Sequence, residues 1–296
     1  MGDIMEIIKL SEPQHILSFI DTAQYHTASY LYKLPQAHQQ IESFIARAAE
    51  DPGVFALVDE SNDIHALILA LKYDTNRYKV IGPFLHPDFE LDAHHFKQLF
   101  HAMTENQPTH ANFNFSFEEH EQRYEDLMKT IQAGYYFTDY HLSAHQDVGT
   151  VERKQNITAY RPAYFHMFSK LHQETFKHDA LTAQQIVDSL DEDHHLFMFM
   201  SEGILKGYVY LTFHPSNHTA EIKYFTSHTD YRFKGIAFDL LKYALHFAFE
   251  REDLNAIYFK IRSKNYRLVE RFNELGFHVN HKYDKYKYVA SHLQQR

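Results

Sequence analysis

Apolar positions along this chain follow two rhythms, and the same order of rhythms is written twice. Phe96, Leu99 and Ala102 fall at the i, i+3 spacing of one helical face, and Phe238, Leu241 and Ala244 repeat it. Phe113-Asn114-Phe115-Ser116-Phe117 alternates as a half-buried strand does, and so does Ile257-Tyr258-Phe259-Lys260-Ile261. Phe55 to Val58 and Phe197 to Met200 are compact apolar runs. Each leads through a turn-like segment to a second run, Ala66 to Leu71 and Gly207 to Phe213. Gly134 and Gly276 complete the series at a separation of 276 − 134 = 142, which the other pairs share or nearly share. Five segments in one order at a nearly constant offset predict a tandem duplication.

Each half reads as strand, helix, strand hairpin, strand, helix, strand, helix, strand. In the second half this predicts strands at 157–160, 220–226 and 257–261 and a hairpin over 196–213. Helices are predicted from Pro162, over 236–249 and over 265–275; proline suits the first helical position. The order departs from strict βαβ alternation, so the predicted class is α+β, a sheet with helices on its faces. The polar stretch 145–155, with Gly149 and few apolar residues, marks the join, giving expected domains of 1–147 and 152–296. A chain of 296 residues is ample for two such cores.

Composition narrows the function classes. Apolar residues make 44% and charged residues 23% of the chain, an ordinary globular balance. No apolar run approaches the roughly 18–20 residues that span a bilayer, and the start lacks a basic segment followed by an apolar one. No membrane partner and a cytoplasmic location are therefore expected. The absence of cysteine excludes disulfides, thiolate metal sites and a cysteine nucleophile. A formal charge of −10 opposes sequence-independent nucleic-acid binding and is compatible with amine substrates. The 24 histidines include the pairs His94-His95 and His194-His195, but adjacent side chains point apart and no H-E-x-x-H spacing occurs, so no metal is expected.

The stretch from Ala220 to Ala237 carries the chemistry. A strand runs into a loop, Gly235 permits a tight turn, and a helix begins at Ile236. Unpaired amides at that helix start suit a pyrophosphate, and Arg232 and Lys234 add countercharge. Arg232-Phe233-Lys234-Gly235-Ile236-Ala237 resembles the R/Q-x-x-G-x-G/A coenzyme A loop of the GCN5-related N-acetyltransferases. Downstream, Asn265, Phe272 and Gly276-Phe277 are similar to that family's N-x-x-A-x-x-x-Y-x-x-x-G-F, with Leu268 at the alanine position and Ile261 where the preceding strand carries valine.

The resemblance implies two tandem acyl-coenzyme A N-acyltransferase domains, each a mixed, mostly antiparallel sheet flanked by helices. It implies that backbone groups of Phe225, Thr226 and Ser227 hold the pantetheine arm, and that the loop residues Arg232 to Ala237 hold the phosphates. The amide near Thr226 or Ser227 would stabilise the oxyanion. Asn265 would touch the cofactor or order the loop; its plainer reading is a helix N-cap. Glu221 lies eleven residues before Arg232, where acetyltransferases acting on histones place a general base; its other reading is structural or substrate-docking. Phe272 replaces a tyrosine that protonates the departing thiolate in many relatives, which leaves the acid unassigned among Tyr266, Tyr283, Tyr286 and Tyr288.

At offset 142 the first half has Glu90-Leu91-Asp92-Ala93-His94-His95 in place of Arg232 to Ala237, and Arg123 and Thr130 in place of Asn265 and Phe272. Acids replace bases and the glycine is gone, which opposes a bound anion. The first half is expected to keep the fold without the cofactor, a division similar to that in tandem acyltransferases. The expected reaction is acetyl transfer from acetyl-coenzyme A to a primary amine on a small molecule, peptide or protein, by direct attack in a ternary complex, with no metal. The alternatives are a non-catalytic coenzyme A sensor and a tRNA-dependent aminoacyl transferase of the same fold. The acceptor, the acyl chain and the oligomeric state stay open.

Overall fold

The computed structural model of the protein describes residues 5–23, 38–118, 122–145, 151–176, 180–231 and 235–291. The chain forms two compact units, Met1–Thr138 with Lys282–Arg296, and Asp139–His281.

In the first unit, strands β1 (Glu6–Leu10), β2 (Val54–Val58), β3 (Ile64–Asp74), β4 (Arg77–Leu85) and β5 (Asn112–Glu118) lie side by side in chain order. The sixth place, beside β5, is taken by Tyr283–Val289 from the last strand of the chain, β12 (His278–Val289). In the second unit, β7 (Ile157–Ala159), β8 (His194–Ser201), β9 (Ile204–His214), β10 (Thr219–Ser227) and β11 (Ala256–Arg262) follow the same order. Its sixth place is taken by Asp139–Ala144 from β6 (Gly134–Ala144). In each unit the fourth and fifth strands are parallel, and the other described pairings are antiparallel. The repeat predicted from apolar spacing is thus present as two copies of one topology.

The helices are α1 (Pro13–Thr22), α2 (His38–Glu50), α3 (Ala93–Thr104) and α4 (Gln122–Thr130) in the first unit. The second has α5 (Phe165–Thr175), α6 (Ala183–Asp188), α7 (Ile236–Phe249) and α8 (Tyr266–Asn273). Helix α7 buries Ile236, Leu240, Leu241, Ala244, Leu245 and Ala248, one stripe at helical spacing, against Val209, Leu211 and Ile222 of the sheet. The opposite face carries Leu196, Met198, Tyr208 and Tyr210 under Phe168, Leu171 and Ile186 of α5 and α6. Helix α6 was not anticipated by the periodicity, because six residues give too short a stripe to read. Its start is a capping box between Thr182 and Gln185.

The observed units also differ from a cut at 147–152. Each expected domain gives up its last strand to the other unit. The reason is local: the edge of the fifth strand is the same in both copies, so an antiparallel sixth strand of either copy fits it, and periodicity says nothing about which one does. Residues 146–150 of the expected join lie outside the described residues. Among the described residues no helix is long and apolar enough to cross a membrane.

Candidate functional site

The site is built where a parallel strand pair comes apart. Strands β10 and β11 pair only from Thr219–Ala256 to Ile222–Phe259, yet β10 runs on to Ser227 and β11 to Arg262. A register shift between Ile222 and Tyr224 in the pairing with β9 turns β10 away. Beyond the shift β10 stays bonded to β9 on one side only. The amide of His228 donates to the carbonyl of Lys206 (2.9 Å), which makes that pair a hydrogen-bonded one. Alternation along an antiparallel ladder then points the Thr226 amide at β9 and the amides of Phe225 and Ser227 toward the gap. Phe225, Thr226 and Ser227 are all half-buried.

Carbon closes the floor of the gap. The rings of Phe225 on β10 and Phe259 on β11 stand 5.1 Å apart, and Phe272 of α8 meets them at 5.8 and 5.0 Å. Phe272 is 1% exposed and packs on Phe277 as well, so the position expected from the resemblance to carry a hydroxyl is a core ring.

Past the gap stands the start of α7. Gly235 is its N-cap at φ 72°, a left-handed conformation, and among the described residues no side chain caps the helix there. The first helical bond is from the Asp239 amide to the Gly235 carbonyl, so the amides of Ile236, Ala237 and Phe238 precede it in the uncapped first turn. Ile236 is 2% exposed and packs inward, and Ala237 is half-buried. A Cβ on Gly235 would lie 3.1 Å from a terminal nitrogen of Arg153. Arg153 is fixed there by a charge-assisted bond from Nε to Asp239, itself 4% exposed, and by the Phe199 ring 5.2 Å below. Gly207 of β9 makes the seat for this turn: a Cβ there would sit 2.7 Å from the Thr226 carbonyl oxygen and 3.1–3.2 Å from Leu240 and Ile236. Arg232, Phe233 and Lys234 lie outside the described residues.

Glu221 lies earlier on β10. Its carboxylate accepts from Lys260 Nζ at 2.9 Å, and its other oxygen is 4.0 Å from Nε2 of His214. Burial pushes its pKa above the usual carboxylate range, against the charge of Lys223, while the touching Lys260 ammonium favours the ionised form. Burial holds the His214 imidazole low, helped by the charges of Lys223 and His194, so it is neutral at pH 7. Tyr258, whose ring stacks on His214 at 6.1 Å, is pushed up to about 12 by burial and by the charge of Glu221. Such a carboxylate is able to take a proton.

The other expected residues scatter. Asn265 occupies the N-cap position of α8, but its side chain makes no capping bond and is exposed. Tyr266 is 58% exposed, and Tyr283, Tyr286 and Tyr288 pair with β5 in the first unit. His95 bonds Asp92 (2.8 Å) and His194 bonds Asp191 (2.7 Å) in local turns. Among the described residues no three acidic or imidazole groups gather as metal ligands. Arg153 and Gly207 were missed. Arg153 sits in a charged stretch, Glu152-Arg153-Lys154, that reads as solvated linker, and Gly207 reads as any glycine in a hairpin.

The first unit shows the same place closed. There β4 and β5 pair only over Arg77–Lys79 with Asn112–Asn114. But Val80, Ile81, Phe84 and Leu85 are all at most 2% exposed. Pro83, at the place of Phe225 (225 − 142 = 83), has no amide hydrogen. The start of α3 is occupied by its own anion, since Asp92 accepts from the His95 amide at 2.8 Å.

Comparison with known proteins bears on both units. The model of the acetyltransferase (GNAT) family matches residues 156–277. A search of the curated proteins by sequence found no match. Among solved structures, a GCN5-related N-acetyltransferase from Sphaerobacter thermophilus superposes with a TM-score of 0.67 at 15% identity, covering 96% of this chain and 95% of that one. A tandem GNAT protein from the clavulanic acid biosynthesis pathway gives 0.64 at 11%, covering 97% and 99%. A GCN5-related glucosamine N-acetyltransferase region of a fungal multi-domain β-N-acetylglucosaminidase gives 0.69 at 11%, covering 97% of this chain and 38% of that one. At these identities the structural likeness carries the fold alone, and it runs through both units. Residues 156–277 match the model of the acetyltransferase (GNAT) family, and both units share the fold of the solved tandem GNAT protein.

Proposed function

We propose that the second unit transfers the acetyl group of acetyl-coenzyme A to a primary amine. The observation that carries this is the gap between β10 and β11 ending at an uncapped, glycine-started helix, with the equivalent place in the first unit filled. Phosphates are placed at the start of α7, held by the amides of Ile236 and Ala237, by Arg153, and by Arg232, Phe233 and Lys234 of the loop. Gly235 lets them approach. The pantetheine arm then runs back along β10, with the amide of Ser227 as one partner and Thr226 lining the strand. Asn265, exposed at the mouth of α8, is available to the arm.

This direction puts the thioester at the closed end of the gap, against Phe225 and above Phe272. The Phe225 amide is therefore the donor for the thioester carbonyl, and Ser227 serves the arm; a donor so placed contributes about 3 kcal/mol in the transition state. The amine nitrogen attacks the carbonyl carbon, the C–S bond breaks, and the sulfur leaves as thiolate. The proton lost by nitrogen goes to Glu221. Phe225 lies four positions beyond Glu221, about 13 Å along a strand, so the proton travels through water. The thiolate takes its proton from solvent, since Phe272 has none to give. Phe272 also favours a second reading, a coenzyme A-binding protein without turnover. The first unit keeps the fold without a cofactor site.

The test is calorimetric titration of acetyl-coenzyme A into the wild type and Gly235→Glu, followed by transfer of labelled acetyl to a panel of amines. One cofactor per chain is expected in the wild type. A glutamate at 235 would cap the helix and pair with Arg153, so affinity should fall at least about 100-fold. No wild-type binding would overturn the reading, and binding without transfer to any amine would favour the sensor.

A further inference from the structure

A cavity of about 390 Å³ lies in the first unit, between β5, α4 and the residues of β12 that join its sheet. Its walls are the rings of Phe117, Tyr124, Tyr135 and Tyr286, and among the described residues its rim carries Glu118, Glu125 and Asp284 against one cation, Lys129. The Lys129 ammonium is itself engaged by Glu125 (3.2 Å) and Asp126 (3.3 Å). Nothing in the proposed acetyl transfer uses this pocket. We infer that it binds an organic cation, an alkyl- or polyammonium compound, between its aromatic walls and its carboxylates.

Three features argue for this class. First, the volume is that of a small-molecule site. Second, ring faces and carboxylates both attract a cation and both repel an anion, and a desolvated cation on a ring face is recognised where a hydrated one is not. Third, the walls are held in place. The Tyr135 hydroxyl bonds Thr138 Oγ1 (2.8 Å), which donates to Asp284 (2.5 Å), and Thr138 is 6% exposed. This chain sets the Tyr135 ring edge-to-face on Tyr286 at 5.9 Å, while Phe117 and Tyr124 stack at 4.3 Å on the facing wall. Burial, with the charges of Asp284 and Glu125, pushes the Tyr286 phenol pKa up, so the ring stays neutral. A divalent metal fits less well: among the described residues no three acidic or imidazole groups come together to ligate one.

The test is calorimetric titration of the full chain with tetramethylammonium and with spermidine. Tetramethylammonium has no N–H and cannot be acetylated, so its heat does not report the acceptor of the transfer reaction. Wild type should bind both, and Glu118→Gln/Asp284→Asn should bind both at least about 10-fold more weakly, because it keeps the shape and the Thr138 bond but removes two charges. Tyr135→Ala, at an exposed ring, should weaken tetramethylammonium about threefold or more. Acetyl-coenzyme A affinity should not change in either variant, which also reports that they fold. No wild-type binding at millimolar ligand, or equal binding by all three proteins, would overturn the inference. Because no step of it uses the gap in the second unit, its failure leaves the acetyl-transfer reading untouched, and the reverse also holds.

Discussion

The two units answer one structural problem in opposite ways. Each has a parallel strand pair that comes apart after three or four residues, and each has a helix starting just beyond. In the first unit the strand past the parting is buried, proline removes an amide, and Asp92 supplies the helix start with a carboxylate of the protein's own. In the second the strand is half-buried, the amides of Phe225 and Ser227 point toward the gap, and the helix starts on a glycine with Arg153 beside it and, among the described residues, no side-chain cap. The same fold is self-satisfied in one copy, and in the other it leaves the place that the proposed reading gives to an anion and an extended partner. Fold likeness therefore does not distinguish the units, whereas the strand burial and the helix cap do.

The comparison breaks most severely at Gly207. Gly207→Val would drive a Cβ to within 2.7 Å of a backbone carbonyl, which cannot swing aside as a side chain could. The first turn of α7 must lift from the sheet, and acetyl-coenzyme A affinity should fall at least about 100-fold, with about 1–3 kcal/mol of stability lost to overpacking. Titration and urea unfolding read the two effects. Retained affinity would mean the seating of α7 is not what aligns the phosphate end with the gap.

Glu221→Gln should act on rate and leave binding alone. Transfer should slow about 100-fold at saturating cofactor, with the cofactor Kd unchanged. The carboxylate is the active form and burial raises its pKa, so the wild-type rate should fall as pH drops through a value above 4.5, and the variant should lose that acidic limb. A variant that keeps both rate and limb would return Glu221 to a structural role beside Lys260.

Much of this is legible in the sequence. Alternation in 113–117 and 257–261 and the helical faces of α3 and α7 are local signals, and local signals survive duplication intact. The acids at Glu90 and Asp92 marked the first unit as hostile to anions, although only the fold shows Asp92 to be a cap. What stayed hidden depends on partners distant in sequence. The exchange of the sixth strands is invisible because either copy fits either edge. The parting of β10 from β11 comes from a register shift opposite β9, which no pattern within β10 predicts. Glu221 stood out alone, while Lys260 and His214, which flank its carboxylate, come from two other strands. Phe272 was read against a missing hydroxyl, and its place between Phe225 and Phe259 gives it a packing reason of its own.

The finest test is Asp92→Ala in the first unit. Removing an N-cap carboxylate costs about 1 kcal/mol, so urea unfolding should shift by that much, with the fold retained. The variant leaves the start of α3 uncapped, as α7 is. If an uncapped helix start were sufficient for the cofactor, the variant would begin to take up a second acetyl-coenzyme A. The stoichiometry should stay at one, because Pro83 still lacks an amide and Phe84 and Leu85 still fill the parting. A second equivalent would show that the cap alone keeps the first unit empty, and that the buried strand is a consequence of the closed site rather than its cause.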